Sequence, residues 1–306
     1  MNNNLFVKGC FGSCWEGNYH YFEPWIGCEH DCAYCYARFR KDVTANLEKF
    51  QTNFCVPKKY LDMNTLDADI RREVQEKNVA AVKLSRYTDI LTPSFVKDGT
   101  SLIMLKSLCE SNIKRLIITT KGVPNEGIVT LFKEHKDKIS YNIALPPERA
   151  IPLESKLKGI EERLFVASQI NNSGVKTTVH LDPLCYGIDS ISSLEQTLKK
   201  AKTYGLNRVM FSFLLLSPSI IKHINRSFGE AATAAMVQYF DLMARADHSE
   251  QDIGLNDICI KSEYKNKYIK KVKSLLAEMG FDFVLCPLKN KSEEVDCPTC
   301  NGGFYI

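Results

Sequence analysis

Three cysteines share one short stretch, Gly27-Cys28-Glu29-His30-Asp31-Cys32-Ala33-Tyr34-Cys35-Tyr36, in the spacing Cys-x3-Cys-x2-Cys. Thiolates on one loop can each take one iron of a 4Fe-4S cube, and three of them leave the fourth iron open for a substrate or cofactor. The same residues permit a zinc site, since His30 inside the loop would complete a Cys3His set. A cysteine-rich loop that holds no metal is the remaining reading. A second group gathers towards the chain ends. Cys297-Pro298-Thr299-Cys300-Asn301-Gly302-Gly303 is a Cys-x2-Cys knuckle backed by glycines, Cys286 precedes it, and Cys10-x3-Cys14 lies near the other end. Chain ends often lie close together, so these five would form an auxiliary iron–sulfur cluster or a structural zinc site, with free thiols as the alternative. Cys55, Cys109, Cys185 and Cys259 stand apart and read as small core residues. Cys185 follows a strand, so a hydrogen-donating thiol facing the site is its second reading.

The elements that must position these residues alternate. Short β-rich runs fall at 19–26, 79–85, 115–120, 139–145, 176–181, 208–215 and 281–286. Helical spacing fills 65–77, 100–112, 125–137, 159–173, 190–204, 229–246 and 264–279. In 190–204 the apolar Ile191, Leu194 and Leu198 stand three to four apart, and Gly205 supplies the stop. Strand–helix alternation of this kind predicts a parallel sheet with crossover helices, either an open sheet or a full or partial barrel. Ligands then gather at the C-terminal ends of the strands, and the first cysteine loop follows the first strand.

Composition sets the bounds. The 306 residues are 44% hydrophobic and 25% charged, an ordinary globular mixture for one large domain with at most a small appendage. The net charge of +4 carries no bulk argument for nucleic acid. The lysines between Lys261 and Lys273 read first as a solvated helix face paired with Glu263 and Glu278, and second as a phosphate contact. The N-terminal residues lack the pattern of an export signal and no stretch of 18 apolar residues occurs. The expectation is a cytoplasmic protein without a membrane span, whose 12 cysteines are reduced.

Cys28-x3-Cys32-x2-Cys35, with Tyr34 before the last cysteine, resembles the cluster loop of radical S-adenosylmethionine (SAM) enzymes. Further short runs are similar to the spore photoproduct lyase-like branch, whose members are often labelled DNA repair photolyases. They are Phe22-Glu23-Pro24-Trp25, the cysteine loop through Ala37-Arg38, Tyr87-Thr88-Asp89, Thr119-Thr120-Lys121, Glu154 with Arg163-Leu164 and Gly174-Val175, and Asp182-Pro183-Leu184. The likeness spans about residues 20–215. It implies a partial (β/α)6 TIM-like barrel over 19–250, preceded by an N-terminal segment 1–18. A small cysteine-containing C-terminal extension, 251–306, would carry the second metal site. It also implies reductive cleavage of SAM to a 5′-deoxyadenosyl radical, which takes a hydrogen atom from the substrate. A cytosolic donor such as flavodoxin or ferredoxin would supply the electron.

The resemblance also distributes roles. Cys28, Cys32 and Cys35 are the cluster ligands. Lys121 is the partner for the SAM carboxylate. Ser140 and Asn142 share one face of the fourth strand by period 2 and would reach the methionyl group or ribose. Thr88 stands where many members place the segment that holds the methionyl amine, and Tyr34 and Tyr36 would pack on cluster or adenine. Arg86, Tyr87 and Asp89 are the candidates at the reacting end; Asp89 would alternatively hold a loop, and Tyr87 would relay a hydrogen atom or simply pack. In spore photoproduct lyase proper a hydrogen-donating cysteine stands in this segment. Here the segment reads Arg86-Tyr87-Thr88-Asp89, and no cysteine occurs between 55 and 109. Thymine-dimer reversal by that thiol is therefore not expected, and Arg86 points to an anionic group instead. The substrate class stays open among nucleic acid, peptide and small metabolite, as does the reaction class among lyase, transferase and oxidoreductase. The competing functions are a zinc-binding nucleic-acid interaction protein and an iron–sulfur electron carrier.

Overall fold

The computed structural model describes residues 4–9, 15–84, 86–154, 156–245, 258–287 and 296–305. Its strands are β1 (Phe6–Lys8), β2 (His20–Phe22), β3 (Trp25–Ile26), β4 (Lys58–Lys59), β5 (Ala81–Leu84), β6 (Arg115–Thr120), β7 (Ile139–Ala144), β8 (Lys176–Leu184), β9 (Arg208–Phe213), β10 (Phe240–Arg245), β11 (Ile258–Ile260) and β12 (Asp282–Leu285). Eight of them form one sheet in the order β1-β2-β5-β6-β7-β8-β9-β12. From β2 to β12 every pairing is parallel, and only β1 is antiparallel, on β2. The sheet is α/β with strands laid down in chain order, as the alternation predicts.

The helices between them are α1 (Lys41–Lys49), α2 (Leu66–Glu76), α3 (Pro93–Lys97), α4 (Thr100–Glu110), α5 (Glu126–Glu134), α6 (Ile160–Asn172), α7 (Ile191–Thr203), α8 (Pro218–Phe228), α9 (Glu230–Val237) and α10 (Ser262–Glu278). Helix α7 shows how the sequence builds one. Ser190 and Ser193 exchange reciprocal cap hydrogen bonds, and Leu194, Leu198 and Ala201 form its buried stripe. Gly205 follows at φ +74°, a conformation other residues rarely take. Leu194 and Leu198 are fully buried, worth about 1.5–3 kcal/mol each. Leu198→Ala alone would cost about 2–5 kcal/mol.

Period 2 sorts each strand onto two faces. Leu116 and Ile118, Tyr141 and Ile143, Val179 and Leu181, and Val209 and Phe211 join the main core with helix residues such as Leu105, Phe132, Leu164 and Leu198. The intervening positions Ile117, Met210 and Val284 pack on the other face with Cys300 and Tyr305. We call this second face the inner face. Ser140, Asn142, Thr178 and His180 alternate onto it.

Several boundaries differ from the sequence reading. The run 19–26 splits into β2 and β3 around Pro24, which has no amide to donate. The helical stretch 229–246 stops at Val237; Phe240–Arg245 is a strand paired with β11, where aromatic Phe240 meets Ile260. Helix α8 was not anticipated, although Ser217 caps it and Pro218 opens it. Asp182-Pro183-Leu184 is not a turn: β8 runs through it, with a cis Asp182–Pro183 bond. Within the expected extension, β12 pairs in parallel with β9 as the last strand of the main sheet.

Candidate metal and cofactor site

The cysteine loop leaves β3 at Gly27, whose φ is +89° and where a Cβ would meet the Phe54 carbonyl oxygen at 2.8 Å. Glycine there lets the Cys28 amide donate to that carbonyl at 2.7 Å. Asp31 takes a left-handed φ of +49°, and its carboxylate is held by Arg38 and by Lys156 at 2.6 Å. Burial raises the Asp31 carboxyl, and these cations outweigh it, bringing it down to about 2. The Ala33 amide donates to the Leu153 carbonyl at 2.9 Å and the Cys35 amide to that of Cys32 at 3.0 Å. Cys28 and Cys32 are buried and Cys35 is half-buried. Burial drives the Cys28 and Cys32 thiols well above their ordinary range. A coordinating cation reverses that cost, because it binds the thiolate.

Asp89 lies beside this loop. Its Oδ2 accepts from His30 Nε2 at 3.0 Å and from the Lys121 amide at 2.8 Å. Its Oδ1 accepts from Thr120 Oγ1 at 2.7 Å and from the Leu91 amide at 2.9 Å. Burial would raise this carboxyl; His30 and the donated hydrogen bonds outweigh it and hold it low. A carboxylate with four such partners ties the cysteine loop to the turn after β6. The His30 that a zinc site would recruit is thus engaged through Nε2.

Lys121 follows β6. Its Nζ sits 5.6 Å from the centre of the Tyr34 ring. Burial works against its charge, but Glu154, Cys32, Asp182 and Asp89 around it keep the ammonium above its ordinary range. Tyr34 donates its hydroxyl to Glu154, whose other oxygen pairs with Arg163 at 3.1 Å; Glu154 and Arg163 are 3% and 2% exposed. Arg163 also donates to the Ala144 carbonyl at the end of β7, at 2.9 Å. On the inner face the strand register sets Thr119, Asn142 and Thr178 side by side, with Ser140 two residues below Asn142. Ser140 Oγ, both polar atoms of Asn142, Thr178 Oγ1 and Thr88 Oγ1 are buried without a hydrogen-bond partner.

The remaining candidates form an aromatic and cationic rim. Tyr36 is 39% exposed and donates to the Arg86 carbonyl at 2.5 Å. Its ring stands 6.3 Å from that of Tyr87. The Arg86 guanidinium lies 4.4 Å from the Tyr87 ring centre and 4.9 Å from that of Tyr21, and Arg40 lies 4.7 Å from Tyr87. Glu23 accepts from the Tyr87 amide at 2.6 Å; burial pushes its carboxyl up to about 7 against that hydrogen bond.

The second cysteine group is divided. Cys300 accepts from the Gly302 amide at 3.3 Å and packs with Cys286 on the inner face, whereas Cys297 packs into the main core. Cys10 and Cys14 lie outside the described residues, as does Ser85. Among the described residues no three His, Cys, Asp or Glu side chains gather around one point as a single ion requires. A cube differs, because each iron takes its own thiolate and the cysteines ring a volume. Cys185 is fully buried in the core. Of the basic run on α10, Lys273 pairs with Asp296 at 3.0 Å, and Glu278 accepts from Ser274.

Glu23, Thr178 and the pairing of Glu154 with Arg163 were not singled out from sequence. Thr178 carries a signal only once its register with Asn142 is known; Glu23 sits in the Phe22–Trp25 run that the resemblance had marked.

No protein-family model matches the chain, and no curated protein matches it by sequence. Solved structures do match by shape. A spore photoproduct lyase complexed with dinucleoside spore photoproduct superposes with a TM-score of 0.62 at 12% identity, covering 94% of this chain and 81% of that one. SuiB from Streptococcus suis, bound to S-adenosylmethionine, gives 0.52 at 13% identity, covering 90% of this chain and 52% of that one. The chain therefore shares the fold of spore photoproduct lyase and of other radical SAM structures.

Proposed function

We propose that this chain is a radical SAM enzyme in which Cys28, Cys32 and Cys35 hold a 4Fe-4S cluster and SAM lies between that cluster and the inner face of the sheet. The observation that carries this reading is the set of buried polar atoms on Thr88, Ser140, Asn142 and Thr178 that find no partner in the protein, with Asn142 in register with Thr119, two residues before Lys121. Each unpaired buried group costs about 1–3 kcal/mol, so a set of them fits a polar ligand that would pair them.

When bound, the cluster held by Cys28, Cys32 and Cys35 would supply the electron for reductive cleavage of SAM to a 5′-deoxyadenosyl radical. The chain's own residues bind and orient. Lys121 offers its ammonium to the SAM carboxylate, with Tyr34 beneath it. Asn142 and Thr178 present donors and acceptors from adjacent strands, Ser140 adds a hydroxyl, and Thr88 reaches from the segment after β5. Asp89 is a positioning residue: its oxygens are all engaged in joining His30 to the Lys121 turn. Arg86, Tyr87 and Tyr36 line the rim and contact the substrate, where Arg86 favours an anionic group. Residues 19–250 form the partial barrel, and 251–306 an extension that lays β12 on its edge. A small iron–sulfur or flavin protein of the cytoplasm supplies the electron.

Anaerobic reconstitution with iron and sulfide tests this. The expected protein is brown and, once reduced, converts SAM to 5′-deoxyadenosine; Cys28→Ala, Cys32→Ala and Cys35→Ala each abolish both. A colourless protein that retains only zinc, or full cluster loading with no SAM cleavage, overturns the reading.

A further inference from the structure

The inner face of the sheet does not stay open on the side away from the cysteine loop. After β12 the chain returns in parallel beside it: the Leu285 amide donates to the Pro298 carbonyl at 2.8 Å and the Cys300 amide to the Leu285 carbonyl at 2.9 Å. Gly302, at φ +96°, then turns the chain inward. Tyr305 is 5% exposed and packs on Ile117, Met210 and Val284. Its hydroxyl lies 3.1 Å from His180 Nε2. One residue back, the Phe304 ring lies 4.1 Å from the Arg208 guanidinium, at the start of β9. His180 stands two residues beyond Thr178 on the same face of β8, and pairs in register with Ala144 of β7, two residues beyond Asn142.

We propose that segment 296–305 is the floor of the cofactor chamber and that Tyr305, through His180, is a positioning residue for the Asn142–Thr178 row. In closed barrels the interior is filled by side chains from the strands themselves. This open sheet is filled by a later piece of chain, which keeps water from the polar row and fixes the strand that carries it. The inference rests on SAM binding against the inner face.

Two variants and two readouts test it. Tyr305→Phe keeps the ring but removes the hydroxyl; a chain ending at residue 295 removes the floor. In cluster-free protein, alkylation of Cys286 by N-ethylmaleimide, followed by mass spectrometry, reports the floor without reference to activity. Labelling at least fivefold faster in the shortened chain is expected, and an unchanged rate overturns the floor. In reconstituted protein, Tyr305→Phe should raise the KM for SAM at least fivefold while kcat for its cleavage changes less than twofold. Unchanged KM in Tyr305→Phe overturns the positioning role. If the parent protein cleaves no SAM, the proposed function fails, while the labelling result still reads the floor.

Discussion

His30 and Asp89 meet at 3.0 Å, Nε2 on Oδ2, and the oxygen that receives the imidazole also receives the Lys121 amide. One carboxylate atom thus joins the loop of the three cysteines to the residue proposed to hold the SAM carboxylate. Asp89→Asn keeps the shape but replaces one doubly accepting oxygen with a donor. It should cost about 2–4 kcal/mol in urea unfolding, since a buried hub loses charge-assisted bonds and gains a misplaced N–H. Iron content after reconstitution should fall with it. A variant with the parent's denaturation midpoint and iron content would remove Asp89 from this role.

Lys121 tests the cofactor end alone. Lys121→Met retains the stem that packs on Tyr34 and removes the charge. The dissociation constant for SAM, measured by equilibrium dialysis on reconstituted protein, should rise at least tenfold, about 1.4 kcal/mol. The cluster spectrum without SAM should not change. Equal affinity would place the carboxylate elsewhere.

Glu154 and Arg163 form a buried ion pair that also anchors Tyr34. Glu154→Gln leaves the guanidinium facing a neutral amide and should cost about 3–5 kcal/mol. Replacing both partners, Glu154→Gln with Arg163→Met, should recover part of the loss, because no uncompensated charge then remains. Denaturant midpoints of parent, single and double variants check this; a double variant weaker than the sum of the singles contradicts it.

Asp189 predicts the pH dependence. Its Oδ2 accepts the Cys185 amide at 2.5 Å, its Oδ1 is buried without a partner, and burial raises its carboxyl from the ordinary 3.8 to about 7. The folded state therefore holds a proton that the unfolded chain has released between these values. Stability from this group is full below the unfolded value and is lost as pH rises towards 7. Asp189→Asn removes that loss. The variant should gain on the order of 2–4 kcal/mol over the parent between pH 4 and pH 8 in apo protein. Parallel stability–pH curves would contradict the assignment.

How much was legible in advance follows from the range of each interaction. The cysteine loop is local in sequence, and its three thiols and their spacing announce themselves. Helices such as α7 are equally local, since cap, stripe and stop lie within fifteen residues or so. Lys121 and Asn142, proposed above to meet SAM, could be named because strand ends and period 2 are local patterns. Thr178 could not, because its value depends on a register with β7 that only the folded sheet defines. Asp89 was visible as a polar residue after a strand; that donors from the cysteine loop and from the end of β6 join the nearby Leu91 amide on its oxygens is a tertiary fact. The stretch at 229–246 misled because helical spacing continues past Val237, while pairing of Phe240 with Ile260 decides the outcome. The floor had no signal beyond its cysteines, as Tyr305 reaches His180 across 125 residues of sequence.

That last contact has a consequence in time. The cysteine loop is made early in synthesis, and the segment that underlies the inner face is made after every strand of the sheet. A ribosome therefore produces the three cysteines well before the segment beneath the inner face. Until Tyr305 is made its contact with His180 cannot form, so the loop proposed to hold the cluster is complete well before the chamber proposed above can close.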